Sequence, residues 1–123
     1  NVTKLILQSN NNLDTLREEV TKLGYQLTDE ITVNDNNIWY VICLFKKNEN
    51  PKLDDITRKY GLLKKDKQDY YEYIINSKND ILKKLEKSHD LTLKEQWKTE
   101  IMELTKLLEK CRIISTDWCY FSF

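Results

Sequence analysis

Leu5, Ile6 and Leu7 form a short apolar run that ends in Gln8, Ser9 and three asparagines. This pattern predicts a buried strand running into a loop. Asn12 is placed to cap a helix, and Leu13, Leu16, Val20 and Leu23 then recur at helical spacing. Gly24 stands where a left-handed C-cap would close that helix. Tyr25, Leu27, Ile31 and Val33 predict a strand interrupted or bulged near Asp29 and Glu30. Asn34-Asp35-Asn36-Asn37 reads as a turn, because Asn and Asp tolerate left-handed backbone. Ile38 to Phe45 is a continuous run of apolar, aromatic and β-branched residues, which suits an interior strand covered on both faces. The two strands together predict an antiparallel β-hairpin.

Lys46 to Asp54 is polar and holds Pro51, the single proline, so a module boundary is expected there. A short helix over Leu53–Tyr60 is expected next, closed by Gly61. Farther on, Tyr71, Ile75, Lys78, Leu82 and Leu85 alternate by four and three, as do Trp97, Ile101, Leu104, Leu108 and Cys111. Each stripe keeps one helix face mostly apolar, which predicts an antiparallel, coiled-coil-like helical hairpin turning at Ser88-His89-Asp90. Thr92, with Glu95 three residues on, is the expected cap of its second helix. The expected organisation is residues 1–50, 51–112, and an aromatic tail over 113–123. The tail carries Trp118, Tyr120, Phe121 and Phe123, and fits either a strand packing back or an exposed end.

Composition narrows the function classes. Glycine occurs 2 times and proline once, too few for a many-turned sandwich or barrel. With 20 basic and 20 acidic residues the net charge is zero, so any contact with nucleic acid must use a local patch. No apolar run reaches membrane-spanning length, and no signal peptide is visible. The chain opens on Asn1 rather than Met, as expected of a piece cut from something longer. Cys43, Cys111 and Cys119 are odd in number and form no CxxC pair, and His89 is the single histidine. A disulfide framework, a zinc site and a His-based triad are therefore disfavoured, and no metal site is expected.

Two segments carry candidate chemistry. Gln8, Ser9 and Asn10 end the first strand, where polar side chains in an open α/β sheet can reach a ligand. The same residues also read as a plain loop and helix cap. Arg58, Lys59, Lys64, Lys65 and Lys67 cluster around Tyr60, Gly61, Tyr70 and Tyr71, an arrangement that can meet phosphates and stack bases. Asp54, Asp55, Asp66 and Asp69 dilute that patch, and a solvated surface explains it equally well.

The ordered set Lys4-Leu-Ile-Leu-Gln-Ser-Asn10, Leu16-Arg17-Glu18, Gly24-Tyr25-Gln-Leu-Thr-Asp-Glu30, Ile38-Trp-Tyr-Val-Ile42 and Tyr60-Gly61-Leu62-Leu63-Lys64 resembles the bacterial tRNA (adenine(22)-N(1))-methyltransferase family. Ser9 stands where that family usually has proline, and the tail after Arg112 has no counterpart in it. The resemblance implies an α+β fragment: the last strand, helix and β-hairpin of a Rossmann-like methyltransferase sheet, followed by the helical hairpin. It implies a cytoplasmic enzyme that uses S-adenosylmethionine and acts on tRNA, seen here as its C-terminal part. Gln8, Ser9 and Asn10 would edge the substrate pocket. Arg58, Lys59, Tyr60, Lys64, Lys65 and Lys67 would contact RNA. The family's cofactor loop has no match, so this chain by itself is expected to bind the cofactor poorly and to be inactive. The competing expectation is a non-catalytic α+β module for protein interaction or dimerisation; the oligomeric state, the catalytic residues and the modified nucleotide are left open.

Overall fold

The computed structural model describes residues 2–87 and 89–121, with side chains through Arg112. It is α+β, with a three-stranded antiparallel sheet and four α-helices. Two compact units divide between Leu62 and Leu63. That division lies beyond the polar stretch around Pro51, because the helix after Pro51 is tied into the first unit.

In the first unit, β1 (Lys4–Ser9) leads through α1 (Leu13–Lys22) to β2 (Tyr25–Asp35) and β3 (Ile38–Lys47). The strand order is β1-β3-β2, and β3 pairs antiparallel with both neighbours. β1 and β2 therefore point the same way, with β3 inserted between them. Asn36 and Asn37 make the β2–β3 turn with φ of 52° and 66°. Left-handed backbone at both central positions matches the right-handed twist of paired strands. The Asn37 amide is held by the Asn34 side chain at 3.1 Å.

The continuous apolar run of β3 does not have both faces covered. Val41, Cys43 and Phe45 are buried, while Tyr40, Ile42 and Leu44 are only half-buried. The covered face meets α1, where Val20 and Arg17 are buried. On the other face Ile6 is 72% exposed, and Ile31 and Val33 are exposed as well. A register shift between Leu27 and Asp29 makes Thr28 a bulge. Below it Leu27 pairs with Phe45 on the covered face; above it Glu30 pairs with Cys43 and takes that face instead. One extra residue thus reverses which side chains point inward.

Helix ends of this unit differ from expectation in three places. Asn12 occupies the N-cap of α1 with φ 51° but makes no side-chain cap bond. Leu23 is the C-cap of α1 and is exposed, so it falls off the apolar stripe. Gly24 follows at φ 93°, in the left-handed region that a C-cap requires. α2 (Asp55–Tyr60) starts two residues later than expected because the Asp54 carboxylate caps it, accepting from the Thr57 amide at 2.7 Å.

The second unit holds a short 3-10 turn (Lys65–Lys67), α3 (Gln68–Lys84) and α4 (Leu91–Phe121). Asp90, not Thr92, caps α4, accepting from the Leu93 amide at 2.9 Å. Among the described residues, Tyr70, Tyr71, Leu104, Leu107, Leu108 and Cys111 are its core. Lys78 pairs with Glu100 at 2.8 Å and lies 4.3 Å from the Trp97 ring centre, and Arg112 pairs with Glu72 at 3.1 Å. The partner on α4 advances as the one on α3 recedes, so the two helices run in opposite directions. The backbone of 113–121 continues α4 rather than returning as a strand; the packing of its aromatic side chains lies outside the described residues, as does Ser88 in the expected turn.

Candidate substrate-facing site

The carboxyl ends of β1 and β2, which point the same way on either side of β3, lie at one end of the sheet, where open α/β sheets hold ligands. Gln8 sits opposite Ile42 in the register, on the less covered face. It lines a shallow hollow of about 250 Å³ with Val33, Asp35, Tyr40 and Ile42. The hollow has an apolar floor, an aromatic ring, an amide and a carboxylate. An amide can both donate to and accept from the edge of a planar heterocycle, and a phenol ring offers a stacking surface.

Ser9 and Asn10 do not join Gln8 there. Ser9 pairs with Val41, so its side chain takes the covered face. Its hydroxyl donates to the Asn11 carbonyl at 2.6 Å and accepts from the Asn11 amide at 3.2 Å, closing the turn into α1. Asn10 is exposed in that turn. Tyr40 and Asp35 were missed by sequence reasoning. The signal was available: Tyr40 is two residues before Ile42 and so shares its face.

The basic-aromatic segment divides by burial. Lys59 and Lys65 are exposed and Lys64 is half-buried. Arg58 is committed locally, 3.2 Å from Asp55 and 3.8 Å from Asp14. Tyr60 and Lys67, also expected to face RNA, are buried. The Lys67 ammonium lies 5.2 Å from the Tyr71 ring centre and 5.9 Å from that of Tyr70, so its charge is held within its own unit. Cys111 is also internal: its thiol donates to the Lys64 carbonyl at 3.1 Å, and burial pushes the thiol pKa up.

A buried ion pair stands behind the first two cations of the segment. Arg17 Nε donates to Glu30 Oε2 at 2.8 Å and Nη2 to Oε1 at 3.1 Å, both side chains being almost fully buried. The remaining Arg17 nitrogen, Nη1, donates to the carbonyls of Arg58 at 3.0 Å and Lys59 at 3.3 Å. Arg17 lies on the α1 apolar stripe, four residues after Leu13 and three before Val20. A charge at such a position is the mark by which the sequence could have revealed it.

The β1–α1 turn contains no glycine. Gly24 and Gly61 instead occur at the C-terminal ends of α1 and α2. Among the described residues, no group of three His, Cys, Asp or Glu could hold a metal ion, and no helix is long and apolar enough to cross a membrane.

Comparison with solved structures shows the same fold. A Streptococcus pneumoniae candidate tRNA (m1A22) methyltransferase matches with a TM-score of 0.76 at 20% identity, over 88% of this chain and 50% of that one. The M. capricolum TrmK in complex with S-adenosyl-homocysteine matches with a TM-score of 0.71 at 18% identity, over 87% and 49%. A Streptococcus agalactiae protein of the NADB-Rossmann superfamily matches with a TM-score of 0.73 at 18% identity, over 87% and 48%. The chain thus spans about half the length of these structures. No curated protein matches it. The family model for tRNA (adenine(22)-N(1))-methyltransferase matches residues 1–115, nearly the whole chain, and the chain belongs to this family, TrmK.

Proposed function

We propose that this chain is the C-terminal part of an S-adenosylmethionine-dependent tRNA adenine-N1 methyltransferase, and that it supplies the substrate side of the sheet and a helical hairpin that grips tRNA. The observation that carries this reading is the hollow at the carboxyl ends of β1 and β2, in a chain of this family. In the intact enzyme the cofactor supplies the methyl group. This chain's residues hold and orient the base, since transfer to a ring nitrogen depends chiefly on positioning. Gln8 reads the edge of the adenine, Tyr40 offers its ring, and Ser9 and Asn10 shape the turn beside it. A base treated this way must leave its stack, and a recess with a ring to stack on and an amide to read its edge favours this. Lys59, Lys64 and Lys65 meet phosphates, and α3 with α4 forms the coiled-coil-like arm along which tRNA lies. The cofactor is held by another part of the enzyme, so this chain alone binds it poorly.

Titration of the chain with an unmodified tRNA transcript at several salt concentrations tests the reading. Lys64→Gln with Lys65→Gln should keep the melting temperature, weaken binding, and flatten the dependence of affinity on salt by about one unit of slope per lost contact. Wild-type affinity and slope in the double variant would show that RNA is gripped elsewhere. The exposed side chains Ile6, Ile31, Val33 and Ile38 favour one second reading, a non-catalytic interaction or dimerisation module. Sedimentation across a concentration series separates it, because only that reading requires self-association or a protein partner.

A further inference from the structure

We infer that Arg17, Glu30 and Gly61 form a latch that positions the end of α2, and that its task is to set the direction in which Lys59 is presented to RNA. This inference rests on the proposed RNA contact. Arg17 bridges three chain segments: its own helix, the Glu30 carboxylate on β2, and the last carbonyls of α2. α2 has six residues, too few to hold a helix by backbone bonding alone. The final carbonyls of any helix lack intrahelical partners, and a guanidinium donating to them fixes where the helix points.

The two carbonyls taken are those of Arg58 and Lys59, the first two cations of the basic segment. The Gly61 amide closes the turn onto the Thr57 carbonyl at 2.8 Å, and Gly61 lies against the ion pair with φ 82°. A buried ion pair gives no more stability than well-packed apolar side chains of similar volume. What apolar side chains could not do is grip two backbone carbonyls and a carboxylate in one plane. Arginine's fork does this, and lysine's single ammonium cannot. Arg17 and Glu30 are positioning residues: they act through the backbone that carries Lys59.

A double-mutant cycle on the 123-residue chain, with an unmodified tRNA transcript as the probe, tests this. Lys59→Gln should weaken binding by about threefold, as expected for one exposed phosphate contact, and lower the salt slope by about one. Arg17→Lys should leave the chain folded and weaken binding to a similar degree. With Arg17→Lys in place, Lys59→Gln should then cost little more, since groups acting as one unit are not additive. Glu30→Gln, which keeps the shape of the acceptor, should behave as Arg17→Lys does. If Lys59→Gln leaves affinity and slope at wild-type values, the RNA reading of this segment is wrong. If it weakens binding but Arg17→Lys and Glu30→Gln do not, or if the losses simply add, the latch alone is wrong. Loss of cooperative folding in both Arg17→Lys and Glu30→Gln also overturns it, because the pair would then be a buttress of the fold.

Discussion

Replacing Gly61 with alanine tests the packing behind the basic segment most directly. Gly61 has φ 82° and ψ −176°, a backbone region that is nearly exclusive to glycine; holding another residue there costs about 1–3 kcal/mol. An added Cβ would sit 2.6 Å from Arg17 Nη2 and 2.7 Å from Glu30 Cδ, and would overlap Glu30 Oε1. Neither partner has room to swing away, since both are almost fully buried. The carboxylate must retreat from Nη2, which forfeits a charged hydrogen bond worth about 1.5–3 kcal/mol. The two effects together give about 2.5–6 kcal/mol, and partial relaxation favours the lower half of that range. For a unit of this size, 3 kcal/mol lowers the melting temperature by roughly 12–25 °C. Urea unfolding followed by tryptophan fluorescence, with Trp97 and Trp118 replaced by Phe so that Trp39 reports alone, and by far-UV circular dichroism measures it. In a Glu30→Ala background the carboxylate overlap disappears, and Gly61→Ala should there cost less, the backbone strain and the approach to Arg17 Nη2 being what remains. A loss below about 1 kcal/mol in the otherwise native chain would refute the close packing of Gly61 on the pair.

The buried Lys67 should behave unlike its exposed neighbours: Lys67→Ala should cost about 2 kcal/mol of stability in a thermal melt, yet leave tRNA affinity and salt slope unchanged while the chain is folded. The Asp54 carboxyl is held below its ordinary value of 3.8 by the Thr57 amide. Its folded pKa being the lower one, the charged cap stabilises fully above that ordinary value and loses the contribution as pH falls through the folded pKa. Asp54→Ala should cost about 1 kcal/mol at neutral pH, and the gap to wild type in melting temperature should narrow in acid below pH 3.8. Cys43 and Cys111 are buried, and burial raises the Cys111 thiol pKa; a thiol reagent should label neither in the native chain and both after urea unfolding.

Local elements of this fold were legible because local chemistry sets them. Leu13, Leu16 and Val20 with Gly24 behind them marked α1, although Leu23 left the stripe, and paired asparagines marked the β2–β3 turn, whose positive φ values are what those residues tolerate. The stripes led by Tyr71 and Trp97 gave α3 and α4. Long-range placement was less legible. The basic segment reads as a run of cations, but solvent access in a short connection depends on which side each Cα faces. Lys59 and Lys65 are exposed while Tyr60 and Lys67 are buried, and no periodicity distinguishes them. Gln8, Ser9 and Asn10 read as one polar cluster, yet the strand pleat sends Gln8 and Ser9 to opposite faces.

The bulge at Thr28 connects the open sheet face with the buried ion pair. Leu27, Ile31 and Val33 are all odd-numbered, so an unbroken strand would place them on one face with Asp29 between. The extra residue lets Leu27 face inward and then sends Ile31 and Val33 to the face of Gln8, Tyr40 and Ile42. That shift supplies the apolar wall of the hollow. The same shift turns Glu30 inward, opposite the buried Cys43. An isolated carboxylate there would be costly, and Arg17 on the apolar face of α1 meets it with two hydrogen bonds. The guanidinium then has a donor group left, which reaches the end of α2. One inserted residue therefore creates both the wall of the candidate base site and the need for the cation that orders the first basic residues. The two features are not independent: deleting Thr28 would remove the register shift on which both rest.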